Sequence, residues 1–208
     1  MSFKRSIELD AVLAVGPGSF ESYGFHNLEF LQSFVEKRKG GETGVKAVQV
    51  LQDENAWKGA RSGTWPVQLV PIAAATMPAG RGKPFKFEML KNTTVFRVEY
   101  SDGFMAAVCL LGSVCPEFSF AAKVRGRREP VGTHAFMAKP QRDLFSFLSN
   151  HIEVMFRSGK PSYPVERTLL VTGILDALHD SKAANGKRIT TPHLEKLAYR
   201  PAEDFAAG

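Results

Sequence analysis

Three side chains that can bind or activate a hydroxyl group lie three residues apart at the start of a predicted helix. They are Tyr23, His26 and Glu29, and residues with this spacing lie on one face of a helix. A histidine can move a proton to or from a hydroxyl near neutral pH, Glu29 is placed to orient the imidazole, and Gly24 leaves room beside it for a ligand or a neighbouring backbone. The pattern predicts a substrate-binding site of these three residues with His26 as the catalytic residue. On the residues alone, a packed His26 with one hydrogen bond is the commoner alternative.

The sequence has one glycine-rich turn of the kind that binds a dinucleotide phosphate, and it is incomplete. Gly16-Pro17-Gly18 follows a strand-like run and precedes a helix, but no third glycine stands at the required place and no repeating βαβ pattern follows. We therefore predict no cofactor-binding residues in this chain. No P-loop, H-E-x-x-H or G-x-S-x-G motif occurs either.

The cysteines and the N-terminal residues predict a cytoplasmic protein without a metal site. Cys109 and Cys115 are the only two cysteines, and C-x5-C without a second pair is not a zinc pattern, so we expect buried thiols in a reducing compartment. Residues 1–8 lack the apolar core of a signal peptide. No apolar run approaches the roughly 20 residues of a membrane span, so no membrane partner is expected.

The formal net charge of +6 raises the question of nucleic-acid binding. The basic residues are scattered, with small clusters at 36–39 and 123–128, and neither cluster has the interleaved aromatic side chains that stack on bases. We interpret both clusters as solvated surface and predict no nucleic-acid partner. Nucleic-acid binding would instead give a steep salt dependence of DNA affinity.

The order of predicted elements indicates an α+β fold. Apolar alternation and turn residues predict strands at 8–15, 45–51, 85–90, 94–100, 104–111 and 116–124 and helices at 22–39 and 66–76, with further helices after residues 140 and 164 and a short one from Thr191. Asp102-Gly103 predicts a hairpin turn, and an apolar stripe of Leu144, Leu148, Ile152 and Met155 marks the helix after residue 140. We predict an open, mostly antiparallel sheet with helices packed on one face and no Rossmann domain. The other face would be solvated or paired with another subunit.

Three segments, taken in order, resemble the Gfo/Idh/MocA family of glucose-fructose oxidoreductase and inositol dehydrogenase. Residues 23–29, Y-G-F-H-N-L-E, are similar to that family's G-x-H-x-x-(D/E) helix start. Residues 156–170 look like its late turn between two helices, and 186–192 look like its closing segment. Each motif is loose, and their order along nearly the whole chain carries the resemblance.

The resemblance implies a two-domain enzyme, of which this chain would be the C-terminal substrate-binding and oligomerisation domain. Residues 1–21 would be the junction after a missing nucleotide-binding domain, and 22–208 the single C-terminal domain. A complete family member uses NAD or NADP, whereas this chain would hold no cofactor and be inactive in isolation. The implied partners are a sugar or polyol, a second copy of the chain through the open sheet face, and a separate Rossmann-domain chain.

Two departures from the family pattern keep an alternative open. The family's Glu-Lys-Pro motif is absent, and Ser22 stands where many members have an aspartate four residues before the histidine. His26 would then act without its usual acidic companion. The alternative is a non-enzymatic protein for sheet-mediated assembly or small-molecule binding.

Overall fold

The computed structural model describes residues 5–78, 85–112, 116–135 and 142–201, with side chains given from residue 145 onward in the last range. The strands are β1 Leu9–Gly16, β2 Val45–Gln52, β3 Thr94–Tyr100, β4 Met105–Leu110, β5 Ser119–Val124, β6 Val131–His134 and β7 Ile189–Thr190. The α-helices are α1 Phe20–Val35, α2 Asp53–Ser62, α3 Val70–Thr76, α4 Arg142–Ser158 and α5 Val165–Ala183. Two 3-10 helices cover Val67–Leu69 and Phe87–Asn92. None of the described helices is long and apolar enough to cross a lipid bilayer.

The strands form one open sheet with the order β6-β5-β1-β4-β3-β2-β7. Within this sheet β1 and β4 run parallel, and the other neighbouring pairs are antiparallel. The predicted α+β class with a mostly antiparallel sheet is confirmed. The predicted domain boundary at residue 22 needs correction, because β1 lies inside the sheet between β5 and β4 and therefore belongs to the folded unit.

Helices cover both faces of the sheet, whereas the sequence predicted one. Helices α1 and α5 do share a face, where they pack on residues such as Val12, Phe96 and Val108. The alternate residues of the same strands, such as Leu13 and Val95, pack instead against α2 and α3. The sequence did not predict α2. The buried Trp65, which follows this helix, holds it in place, because Trp65 Nε1 donates a hydrogen bond to the Ala56 carbonyl at 3.0 Å.

Two predicted elements have a different structure. Residues 85–90 lead into the 3-10 helix Phe87–Asn92 rather than forming a strand. Phe85 and Leu90 pack against the residues of α2 and α3 on the second face of the sheet. The segment from Thr191 is a turn rather than a helix, since Thr191 Oγ1 donates to the Val45 carbonyl at 2.7 Å and so docks the segment on β2. The predicted α1 begins at Phe20 and ends at Val35.

A glycine lets helices α1 and α5 approach each other closely. A Cβ placed on Gly24 of α1 would lie 2.9 Å from Leu175 Cδ1 of α5, with the Phe96 ring of β3 also in contact range. Gly24 therefore makes room for side chains of α5 and the sheet, whereas the sequence suggested a ligand or a neighbouring backbone beside His26.

We predict that Gly24→Leu lowers the free energy of unfolding by about 1–3 kcal/mol, because extra atoms in a packed contact force neighbouring side chains aside. Ser22→Leu, on the exposed side of the same helix, should change stability by less than about 0.5 kcal/mol. Urea denaturation followed by circular dichroism measures both. Equal effects of the two substitutions would contradict the close α1–α5 contact.

Candidate functional site

The N-terminal half of α1 presents Tyr23 and His26 at the surface. The helix starts after Ser19, whose side chain accepts a hydrogen bond from the Ser22 backbone N–H at 3.3 Å, as an N-cap residue does. Leu28 and Leu31 bury the opposite side of the helix. Tyr23 is 40% exposed, His26 is exposed, and their ring centroids are 5.9 Å apart. The structure therefore brings these two predicted site residues together on an accessible face.

Glu29, the third predicted site residue, is bound to Arg167 of α5. Arg167 Nη2 lies 2.8 Å from Glu29 Oε2 and also donates to the Glu29 carbonyl at 3.1 Å. Its Nη1 lies 3.2 Å from Glu36 Oε1. No described hydrogen bond joins Glu29 to His26, so Glu29 holds α5 on α1, a different role from the predicted orientation of the imidazole.

Burial is the largest influence on the pKa of Glu29. Loss of water around the carboxyl raises its pKa above the ordinary 4.5, although the Arg167 guanidinium acts in the opposite direction. Glu21, in the first turn of the same helix, is exposed, and its hydrogen bond with Lys182 lowers its pKa. Two carboxyls on α1 are therefore shifted in opposite directions by their surroundings.

The Gly16-Pro17-Gly18 turn does not fit a dinucleotide. A Cβ on Gly16 would lie 1.7 Å from Asn27 Oδ1, and one on Gly18 would lie 2.1 Å from Tyr23 Cδ2. Asn27 is fully buried, and its amide donates to the carbonyls of Pro17 and Tyr23 at 3.3 and 2.9 Å. The glycines therefore accommodate two side chains of α1, and these fill the space that a pyrophosphate needs beside such a turn.

A groove with both polar and apolar walls lies beside the start of α1. Its polar lining consists of Ser19, Glu21, Gln52, Asn92, Thr94 and Lys182, and Phe20, Met89, Leu110, Leu111 and two glycines, Gly18 and Gly112, line the rest. Hydroxyl, amide, carboxylate and ammonium groups of this kind hydrogen-bond to sugar hydroxyls. His26 is not among the lining residues, but Tyr23 packs against Gly18 and so lies next to the groove.

Sequence reasoning missed a buried hydrogen-bond chain at the other end of α1. Tyr100 Oη donates to Gln32 Oε1 at 2.7 Å, and Gln32 Nε2 donates to Tyr199 Oη at 2.9 Å. Tyr199 in turn donates to Glu36 Oε2 at 2.7 Å, and the Gln32 amide also bonds to the carboxylate of Glu42. Burial raises the pKa of Tyr199, so the phenol stays a donor. The sequence feature that could have revealed this hydrogen-bond chain is Gln32, a polar residue within the apolar stripe of α1.

Two further predictions concern the cysteines and metal sites. Cys109 is buried, as predicted, and its sulfur lies 3.5 Å from Thr93 Oγ1. Cys115 lies outside the described residues. Among the described residues no cluster of histidine, cysteine and carboxylate side chains is arranged to hold a metal ion.

Comparison with known proteins gives a likeness in structure. No family model and no curated protein matches the sequence. GenD2 from gentamicin A biosynthesis, solved in complex with NAD, matches 89% of this chain with a TM-score of 0.53 at 11% identity. This chain has the fold of a part of such dehydrogenases. A probable dehydrogenase from Thermotoga maritima matches 90% of the chain with a TM-score of 0.53 at 8% identity. The chain spans 56% and 57% of the lengths of these two proteins, so their whole activities do not transfer with the fold.

We predict opposite pH dependences for two substitutions on α1. The pKa of Glu29 is raised in the folded protein, so its contribution to stability is present below the ordinary pKa of a glutamate and is lost as pH rises through the pKa of the folded state. The pKa of Glu21 is lowered, so its contribution is present above the ordinary pKa and is lost as pH falls through the pKa of the folded state. Between about pH 3.5 and 7, the stability advantage of wild type over Glu29→Gln should fall with pH, and that over Glu21→Gln should rise. Urea unfolding across this range measures both, and two slopes of the same sign would contradict the assignment.

Proposed function

We propose that this chain is the substrate-side part of a NAD(P)-dependent sugar or polyol oxidoreductase of the Gfo/Idh/MocA type, and that its cofactor is bound by a domain outside this sequence. The observation that carries the proposal is the fold likeness to an NAD-complexed dehydrogenase over 89% of this chain but only 56% of that protein. The filled Gly16-Pro17-Gly18 turn supports placing the cofactor elsewhere.

The exposed face of α1 supplies the groups that such a substrate needs. Tyr23 offers an aromatic ring for the C–H faces of a sugar, with the Phe118 ring centroid 6.3 Å away. His26 is accessible and can accept the proton of a bound hydroxyl as that carbon is oxidised. Ser22 lies four residues before His26, where the family has an aspartate, so no carboxylate stands at that position. Ser22 accepts a 3.2 Å hydrogen bond from Ser19 Oγ.

The adjacent groove gives the remaining hydroxyls of a sugar their partners. Asn92, Thr94, Ser19 and Lys182 are among its polar lining residues. Its apolar residues, Phe20, Met89, Leu110 and Leu111, can pack against the C–H faces of such a molecule. The substrate would thus lie along the groove and reach over Gly18 to Tyr23 and His26.

A specific observation favours a second candidate function, a non-enzymatic assembly protein. Helix α4 carries large exposed apolar side chains, including Phe156, which is 78% exposed. A surface of this kind marks an interaction site. The assembly function predicts association without any sugar binding near His26.

A titration with myo-inositol, followed by ¹H–¹⁵N NMR, tests the proposed function. We expect millimolar myo-inositol to shift the amide signals around Tyr23, His26 and Thr94, and His26→Ala to weaken binding by about tenfold, the loss of one hydrogen bond of about 1.4 kcal/mol. His193→Ala, at another exposed histidine, is the matched control and should leave binding unchanged. Glucose in the same titration identifies a preference for a cyclic sugar over a polyol.

No shift with either compound, or shifts confined to residues away from α1 and the groove, would contradict the proposal and leave the assembly function. The same spectra show whether the variants are folded.

A further inference from the structure

An uneven balance of charge occurs on the sheet face that carries α2 and α3, in the part that these helices leave open. Arg97 of β3 lies two residues after Val95, which packs against α2 and α3, so both side chains are on the same face. Arg97, Glu99 and Arg188 line a small recess there, together with Gln49 of β2. Two guanidinium groups therefore share one carboxylate, and one positive charge is left over.

A neutral side chain orients the guanidinium of Arg97. Arg97 Nη1 donates to Gln49 Oε1 at 2.5 Å, and Gln49 Nε2 donates to the Gly186 carbonyl at 2.8 Å. Because the Gln49 amide is held at both ends, it holds the guanidinium in one orientation. This hydrogen bond fixes the position of the positive charge and does not neutralise it.

Arg97 has donors that the rest of the described chain does not use. Its Nε is buried and has no hydrogen-bond acceptor among the described residues. Burial lowers the pKa of the Arg97 guanidinium, the Glu99 carboxylate raises this pKa, and the Arg188 guanidinium lowers it. The two arginines are therefore close enough to repel each other, and an anion bound to both would relieve that repulsion.

Arg188 is bound to Glu99 and still has donors for a ligand. Arg188 Nε donates to Glu99 Oε2 at 2.7 Å, and its Nη2 bonds to the same oxygen. The Nη1 group of Arg188 has no acceptor among the residues that the structure describes, and 41% of this side chain is exposed. A ligand can therefore reach Arg188 from solvent without breaking its pair with Glu99.

The recess between these groups has room for about one oxygen atom. Its volume is about 10 Å³, roughly what one water molecule needs, and Ala47 and Met105 form an apolar part of its wall. A sugar ring or a nucleotide base is too large to enter. An oxyanion can place one oxygen in the recess and leave its other oxygens in solvent.

The positions of the two arginines favour a tetrahedral oxyanion over a carboxylate. Arg97 lies on β3 and Arg188 lies just before β7, so a ligand that binds both must accept hydrogen bonds from two directions. A planar carboxylate pairs best with a single guanidinium fork. A phosphate group has oxygens that point in several directions, and it can therefore accept from both arginines at once.

We propose that Arg97 and Arg188 form a binding site for a phosphate group, carried by inorganic phosphate or by a small metabolite, with one phosphate oxygen in the recess. This inference goes beyond the proposed function. The recess shares no lining residue with the groove beside α1, so the phosphate site stands whether or not the chain binds a sugar.

Self-association through an open sheet face, expected from the sequence, is the rival use of this region. A second copy would cover the recess and would have to supply a carboxylate to the two arginines. Glu99, which is the carboxylate of this region, is already bound to Arg188 within the chain. The phosphate site needs only one copy of the chain, and the experiment below separates the two cases.

A titration with sodium phosphate at pH 7 and constant ionic strength, followed by ¹H–¹⁵N NMR, tests the inference. We expect millimolar phosphate to give saturable shifts of the Gln49, Arg97 and Arg188 signals, and sodium chloride to give none. Arg97→Met and Arg188→Met should each weaken phosphate binding by about tenfold or more, because each removes charge-assisted hydrogen bonds to the anion. Arg188 is exposed, so its variant should fold, which the same spectra verify.

Arg128→Met is the matched control. It removes the same charge from an arginine whose side chain is 96% exposed, and it should leave phosphate binding unchanged. Glucose 6-phosphate in the same titration identifies the source of the group: binding at least tenfold tighter than inorganic phosphate favours a metabolite, and equal binding favours the free ion. Either result supports the site.

Three results would overturn the inference. The first is the absence of saturable shifts at these residues. The second is an equal loss of binding in Arg128→Met and Arg188→Met, which would mean that only the net charge matters. The third is a wild-type dimer in analytical ultracentrifugation that Arg188→Met dissociates, which would assign the two arginines to self-association.

Discussion

One buried side chain determines how α1 meets the sheet. Asn27 lies over Gly16 at the end of β1, and its amide donates to the carbonyls of Pro17 and Tyr23. This contact closes the turn between β1 and α1, and the ring of Tyr23 covers Gly18 beside it. The same residues that rule out a phosphate at the turn therefore place Tyr23 and His26 on the exposed face.

Arg167 connects α1 with the start of α5. Its guanidinium binds Glu29 and Glu36 of α1 and lies over Tyr163, which lines the groove between α4 and the start of α5. The predicted site residue Glu29 therefore serves the packing of the two helices, while Tyr23 and His26 stay exposed on the other part of α1.

The sequence predicted the parts of the fold that depend on local signals. The Asp102-Gly103 turn, the alternating strands beside it, and the start of α5 after Pro164 follow from turn chemistry and periodicity, which act over a few residues. It did not predict β6 and β7, which are short strands at the sheet edges. Their pairing depends on partners far away in the sequence.

The candidate site was predictable to a similar extent. Tyr23 and His26 share a face because of helix geometry alone. The partner of Glu29 was not predictable, because Arg167 comes from a helix 138 residues further along the chain. Nor could the stripe of α4 reveal its exposure, since periodicity marks an apolar face without saying what covers it.

We propose that this chain carries the substrate side of an oxidoreductase and holds no cofactor of its own. Equilibrium dialysis of the purified chain against NAD⁺ and NADH tests this proposal most directly. We expect no binding of either nucleotide to the chain alone. Stoichiometric binding of either one, abolished by a substitution at Gly18, would contradict it.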